Sequence, residues 1–345
     1  MRIPPTNLVE WVRGGDRVAE RALGEELRMT HLRAVVVVAT YRRPDHVRTC
    51  LEHLSAQTLK PARTIVVDAS PDDLTRAVVA DFEAVEYRRN DHGAGTLATS
   101  RAIGIEGVDA DIVAFIDDDA YAFPEWLEEL LRPYDDPTIA AVGGRALNGQ
   151  PGEADQGIGQ IGLLLPDGRL TGYFAADPGR VVDTDHMLGA NMSYRLDAAR
   201  RVGGVHDFYP GTCLREDADM PLRLRRAGWR VVFAPRAVVR HVAGQYAKGV
   251  RFDSRYRYYG ARNHVVLLAT TLGHRDPVFR RYLLTAMRTA GRDLRSAAAA
   301  VAKSGWRAKV RGAAGGCRRA AIGVGGTAAG LVASVHAVRV RARAS

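Results

Sequence analysis

From residue 34 the chain alternates short apolar runs with stretches of helical period. AVVVVA (34–39) is continuous and β-branched, the pattern of a strand buried on both faces. It stops at Thr40-Tyr41-Arg42-Arg43-Pro44, a turn. Pro44 suits a first helical position, and Val47, Leu51 and Leu54 then recur at three- and four-residue steps, predicting a helix over 44–57. TIVVDAS (64–70) predicts a second strand ending at Asp68. A helix over about 72–82 and a short strand over 84–87 follow. The loop NDHGAGTLATSRAIGIEG then runs into a helix, and DIVAFI (111–116) reads as a further strand. Such alternation predicts an α/β fold: a mostly parallel central sheet with right-handed crossovers, flanked by helices.

Beyond residue 120 the pattern thins. PEWLEELL predicts a helix and TIAAVGG a strand, while 145–186 is rich in Gly, Pro and Asp and fits hairpins or a mobile loop equally well. MLGANMSYR, a helix over 196–202 and REDADMPLRLRRAG, a helix closed by Gly228, come next. WRVVFAP and AVVRHV predict two short strands. Helices are expected from about 250, including RYRYYGARNHVVLLATTL. The last 55 residues, rich in Ala, Gly and Arg, predict little fixed order. The divisions expected are an N-terminal helical segment (1–32), a main domain (33–245, halves 33–145 and 146–245), a helical extension (246–290) and a basic tail (291–345).

At 345 residues and 46% hydrophobic composition the chain can bury a full core. Cys50, Cys213 and Cys317 are far apart and form no CxxC, so they read as reduced thiols of a cytoplasmic protein. The N-terminus shows no apolar run of the signal-peptide kind, and no stretch of about 18 uninterrupted apolar residues predicts a membrane span. The net charge of +10 is unevenly placed: residues 291–345 hold eleven Lys or Arg and one Asp, leaving 38 basic and 38 acidic residues in 1–290. The body is neutral, which speaks against nucleic-acid binding. Two readings of the tail stay open, a disordered soluble segment or a contact with an anionic membrane surface.

The chemistry concentrates where FIDDD ends a buried strand. Two carboxylates about 4 Å apart repel by about 4 kcal/mol at an effective dielectric near 20, so Asp117, Asp118 and Asp119 raise their pKa values, lie in water or hold a cation. Ligands in open parallel sheets sit outside the carboxyl ends of the strands. Thr40, Asp68 and the triplet all fall at such ends. If the chain stays extended, Asp117 and Asp119 share a side, suiting two hard oxygen ligands for Mg²⁺ or Mn²⁺, and Asp118 faces the other way. Arg215-Glu216-Asp217-Ala218-Asp219 opens a helix; its acids serve as dipole complements or supply a general base, for which Asp217 is the better placed. His241 in VVRHV is a satisfied histidine or a ligand beside the triplet.

Together these stretches resemble the family-two glycosyltransferases of GT-A fold, over about residues 34–243, with a weaker echo at YYGARN (258–263). VVVVATYRRPDHVRTCLEHLSAQT, IVVDAS, NDHGAGTLATSRAIGI, FIDDD, GANMSYR, REDADMPLRLRRAGWRV and APRAVVRHV stand in the family's order. The resemblance implies inverting transfer of a sugar from a nucleoside-diphosphate donor to a saccharide, lipid-linked glycan or glycoside acceptor. It implies Thr40, Arg42 and Asp68 at the nucleobase and ribose, Arg101 on the nucleotide side, Asp118 at the ribose, and Asp117, Asp119 and His241 around the metal. It further implies Asp217 as base, Glu216 at the acceptor sugar, Asn191 in the sugar and acceptor cleft, and Trp229 stacked on a sugar face.

Two departures stand out. Ala-Ser follows Asp68 where the family more often has Asn or a Gly-Ser-Thr string, and SRAIG replaces the commoner Ala-Arg-Asn-Xaa-Gly. Other classes fit less well. A nucleotidyltransferase would carry a Gly-rich phosphate loop after the first strand, and TYRRPDH has no glycine. A non-catalytic nucleotide-sugar-binding protein has no use for a base at Asp217.

Overall fold

The structure, a computed structural model, describes residues 32–242, 253–303 and 306–344. The helix expected over 1–32 falls outside them apart from Leu32. Among the described residues nine strands form one mixed sheet in the order β3-β2-β1-β4-β8-β6-β9-β5, with β7 also on β9. These are β1 (Ala34–Thr40), β2 (Arg63–Asp68), β3 (Val85–Arg89), β4 (Ile112–Asp117), β5 (Ala120–Ala122), β6 (Ile139–Leu147), β7 (Val182–Asp183), β8 (Asn191–Arg195) and β9 (Arg230–His241). β1 to β4 are parallel, as the βαβ pattern predicts. Beyond β4 the sheet turns mixed: β8 is antiparallel to β4 and β6, and β9 runs parallel to β6.

Every residue of β1 is buried, because helices cover both faces of the sheet. Helix α1 (Pro44–Ser55) presents Val47, Leu51 and Leu54 to one face, and α3 (Leu97–Ile105) packs on the other, with α2 (Leu74–Val79) between them in sequence. Later helices are α4 (Trp126–Leu131), α5 (Leu196–Arg201) and α6 (Glu216–Arg226). The segment 145–186 is a folded-back loop rather than a featureless one. Gly162 donates to the Gly172 carbonyl, Leu164 bridges Leu170, and Ala146 donates to the Phe174 carbonyl.

One strand replaces the two expected at 229–242. β9 is continuous, but its ladder with β6 slips between Gly144↔Ala234 and Arg145↔Val238. Pro235 lies in that slip and has no N–H to give a ladder, which explains the interruption read in the sequence.

The C-terminal extension is helical: α7 (Ser254–Thr271), α8 (Pro277–Lys303) and α9 (Trp306–Ala344). Its Ala/Gly composition is a packing seam rather than a sign of disorder. A Cβ on Gly330 would lie 2.6 Å from the Arg262 carbonyl of α7, and one on Gly326 2.5 Å from that of Tyr258. Gly316 meets α8 in the same way, at the Asp293 carbonyl (2.7 Å). Small residues four apart let two backbones close to contact, which a periodicity of large apolar side chains does not announce. Arg341 of α9 then reaches Asp219 of α6, both carboxylate oxygens at 2.9 Å, so part of the tail's charge is used inside the molecule. Gly312–Arg343 is also long and apolar enough to cross a membrane by length and composition, with a hydropathy of 1.5 over its most apolar window and 22% of that window buried. It is not an uninterrupted apolar run, because Gly, Ser, Thr and His are interspersed.

Candidate active site

The register of β1 against β4 pairs Ala39 with Asp117, which sets Thr40 beside the residue after the strand. Thr40 Oγ1 donates to Asp118 Oδ2 at 2.7 Å. The chain turns at Asp118-Asp119 and returns as β5, antiparallel to the end of β9, with Ala120 opposite His241. That pairing brings a histidine 122 positions away to Asp119, Nε2 to Oδ1 3.4 Å. One ligand atom each from Asp117, Asp119 and His241 lies within 4.8 Å of the others. The grouping expected of Asp117 and Asp119 is present, through a turn rather than an extended strand. Asp118, expected to face sugar or solvent, is 4% exposed and bound to protein.

Arg43, which the sequence reading passed over for Arg42, is the cation of this cluster. Its Nη1 lies 2.6 Å from Asp119 Oδ2 and 3.1 Å from Asp118 Oδ1. Arg42 has φ 55°, a left-handed turn. Its N–H donates to Ser70 Oγ, and its guanidinium lies 5.5 Å from the centre of the exposed Tyr41 ring. The signal for Arg43 was present: it immediately precedes a helix-starting proline, at the mouth of the strand-end turn. Burial pushes the Asp118 carboxyl up to about 7, with Asp119 and Asp117 adding to it against Arg43 and Thr40. Burial acts the same way on Asp119, but His241 and Arg43 outweigh it and hold that carboxyl below its ordinary value. A cavity of about 670 Å³ opens over these groups, lined by Thr40, Arg43, the three aspartates and His241 among others.

The acid-rich helix meets the cluster through Arg101. This side chain is 2% exposed; it pairs with Glu216, lies 3.2 Å from Asp117 Oδ1, and donates to the Gly189 carbonyl at 2.9 Å. Gly189 N–H donates in turn to Asp217 Oδ2 at 3.3 Å. A Cβ on Gly189 would fall 2.8 Å from the Arg101 guanidinium, so a side chain there would have to displace it. Burial drives the Glu216 carboxyl above its ordinary value, with Asp217 and Asp117 adding to the effect while Arg101 opposes it.

The packing gives several expected positions protein partners. Arg101 bridges the carboxylates of Asp117 and Glu216. Asp68 is fully buried, Oδ1 bound by Ser70 N–H and Oγ–H and Oδ2 by Tyr87 OH (3.1 Å), so it secures the strand-end turn. Asn191 is fully buried as well. Its Nδ2 donates to the Arg145 and Ala237 carbonyls beside the β6–β9 slip, and its Oδ1 accepts from Trp126 Nε1. It satisfies backbone groups that the slip leaves without ladder partners. Trp229, partly buried, packs against the core cluster just before β9, twelve residues or about 40 Å of strand from His241.

Residues 35–202 match the profile of Glycosyl transferase family 2. The chain belongs to this family. The glucosyl-dolichyl phosphate glucuronosyltransferase of Haloferax volcanii is 29% identical over 241 residues, 62% of this chain and 71% of that protein. The O-antigen chain rhamnosyltransferase RfbN of Salmonella typhimurium is 25% identical over 225 residues, 61% and 66% of the two chains. Among solved structures, the mannosyltransferase PcManGT of Pyrobaculum calidifontis with GDP-Man and Mn²⁺ superposes with a TM-score of 0.59 at 17% identity, over 87% of each chain. GalNAc-T7 with UDP, GalNAc and Mn²⁺ gives 0.51 at 16%, covering 69% of this chain and 48% of that one. This glycosyltransferase has the GT-A fold, with a helical C-terminal extension.

Proposed function

We propose that this glycosyltransferase moves a sugar from a nucleoside-diphosphate donor to an acceptor hydroxyl with inversion at the anomeric carbon, and that the transfer depends on a divalent cation. The observation that carries the reading is the convergence of Asp117, Asp119 and His241 at the mouth of the 670 Å³ cavity. Two hard oxygens and one imidazole nitrogen suit Mg²⁺ or Mn²⁺, the latter present in both solved proteins named above. Such an ion, when bound, supplies Lewis-acid charge at a departing diphosphate.

The chain's own groups do the rest. Thr40 and Arg43 fix the carboxylates, and Arg43, half exposed, can turn to a phosphate oxygen when a cation takes its place. Asp217, held by the Gly189 N–H, takes the acceptor proton as that oxygen attacks. One base is sufficient because no covalent sugar–enzyme intermediate forms, unlike a retaining glycosidase's paired carboxylates. A second cavity of about 360 Å³ shares His241 and is lined by Asn148, Gln150, Gln156 and Tyr173, hydrogen-bonding and aromatic groups of the kind that hold a saccharide acceptor. For location, we take the chain as cytoplasmic, with the Arg-rich extension against an anionic membrane surface.

Asp217→Asn tests the assignment. Release of nucleoside diphosphate in the presence of acceptor should fall by about a hundred- to ten-thousand-fold. Donor binding, followed by thermal shift, should be retained. Near-normal turnover would remove Asp217 from the role.

A further inference from the structure

Between the extension and the main domain lies a cavity of about 330 Å³ that the transfer chemistry does not use. Four guanidiniums line it, from Arg169, Arg215, Arg257 and Arg319, against the single carboxylate of Asp293. Asp293 is shared already, 3.1 Å from Arg257 and 3.2 Å from Arg319. Arg169 binds its neighbour Asp167 at 2.7 Å. Arg215 differs: among the described residues it enters no ion pair, and its Nε is buried without a hydrogen-bond partner. Its backbone is left-handed, φ 81°, which costs a non-glycine residue of order 1 kcal/mol or more. His264, 2% exposed, completes the lining. Its Nε2–H is taken by the Gly168 carbonyl, and its Nδ1 is buried without a hydrogen-bond partner.

We propose that this cavity binds a phosphate or diphosphate ester, its charge held by Arg169, Arg215, Arg257 and Arg319. Guanidiniums match phosphate oxygens two at a time, and an unpaired one held in a cavity wall is most economically explained by an anion that pairs with it. Arg215 immediately precedes Glu216 and Asp217. An anion on Arg215 therefore fixes the start of α6, a consequence that rests on the reading of Asp217 as base, whereas the site itself does not.

Calorimetry on the full chain in EDTA, so that the carboxylate cluster holds no cation, tests the site with geranyl phosphate, inorganic phosphate and geraniol. Geranyl phosphate should bind and geraniol should not. Arg169→Gln/Arg319→Gln should weaken binding at least about tenfold, the equivalent of one charge-assisted hydrogen bond. Arg169→Gln alone, at an exposed side chain tied only to a sequence neighbour, should fold normally and weaken binding about threefold. Geranyl phosphate binding much tighter than phosphate identifies a lipid-linked ester; equal binding identifies a free phosphate group, and the site stands either way. No binding of either anion, or binding unchanged in both variants, overturns it. Asp217→Asn should leave these heats unaltered, which separates failure of the site from failure of the transferase mechanism.

Discussion

Arg341→Met asks whether the C-terminal helix is part of the folded enzyme. Arg341 is 7% exposed, and its Nη2 lies 2.9 Å from each oxygen of Asp219. Asp219 is itself 2% exposed and also receives Arg223 (2.7 and 3.0 Å) and Tyr209 OH (2.8 Å). Breaking a buried pair outright costs about 3–5 kcal/mol because a bare charge is left behind. Here Arg223 and Tyr209 remain, so the loss should be smaller, about 2–3 kcal/mol, one charged hydrogen-bonding group removed from a carboxylate that keeps another. Methionine retains the stem's packing on Phe208, whose ring centre lies 5.2 Å from the guanidinium carbon. Burial pushes the Asp219 carboxyl up, but Arg223 and Arg341 outweigh it and hold it below its ordinary value. The sign follows: stability from this cluster is present above the unfolded carboxyl value near 4 and is lost as pH falls through the folded one. The difference between Arg341→Met and the parent should therefore shrink below about pH 4. Urea denaturation followed by circular dichroism at pH 7 measures it, with the exposed Arg343→Met on the same helix as control, expected within about 0.5 kcal/mol of the parent. Equal losses from the two variants, or none from Arg341→Met, would mean that the helix is not docked by this pair.

Further outcomes follow from the same geometry. Asp119→Asn should abolish the rise in melting temperature that Mn²⁺ gives the parent, and EDTA should stop transfer; an undiminished Mn²⁺ shift in the variant would move the metal elsewhere. Gly330→Leu should cost about 1–3 kcal/mol by overpacking against the Arg262 carbonyl and should open α9 to limited proteolysis. Burial, with Arg215 nearby, holds the His264 imidazole down to about 3, so the folded state keeps it neutral while the unfolded chain protonates near 6.5. Stability should fall as pH drops below 6.5, by about 1.4 kcal/mol per unit from this group, and His264→Gln should flatten that slope in urea titrations between pH 7 and 5.

What the sequence settled by itself was the first half of the sheet and the identity of its acidic tip. Short apolar runs, Pro44 at a helix start and the first four motifs define β1, β2 and β4 with their helices, since burial on both faces leaves an unbroken apolar signature; β3, only half-buried, carries no such run. The rest depended on long-range contacts. His241 meets Asp119 only because β5 folds back on β9. Asn191 looks like a cleft residue until the β6–β9 slip exposes carbonyls for it to satisfy. That Arg101 and Glu216 are buried against each other is visible only in the packing. The Gly/Ala-rich tail was opaque for a related reason: backbone-to-backbone packing through Gly326 and Gly330 uses missing side chains, and a missing side chain leaves no hydrophobic period to read. Local pattern records what each residue buries; which partner it buries against is decided where distant segments meet.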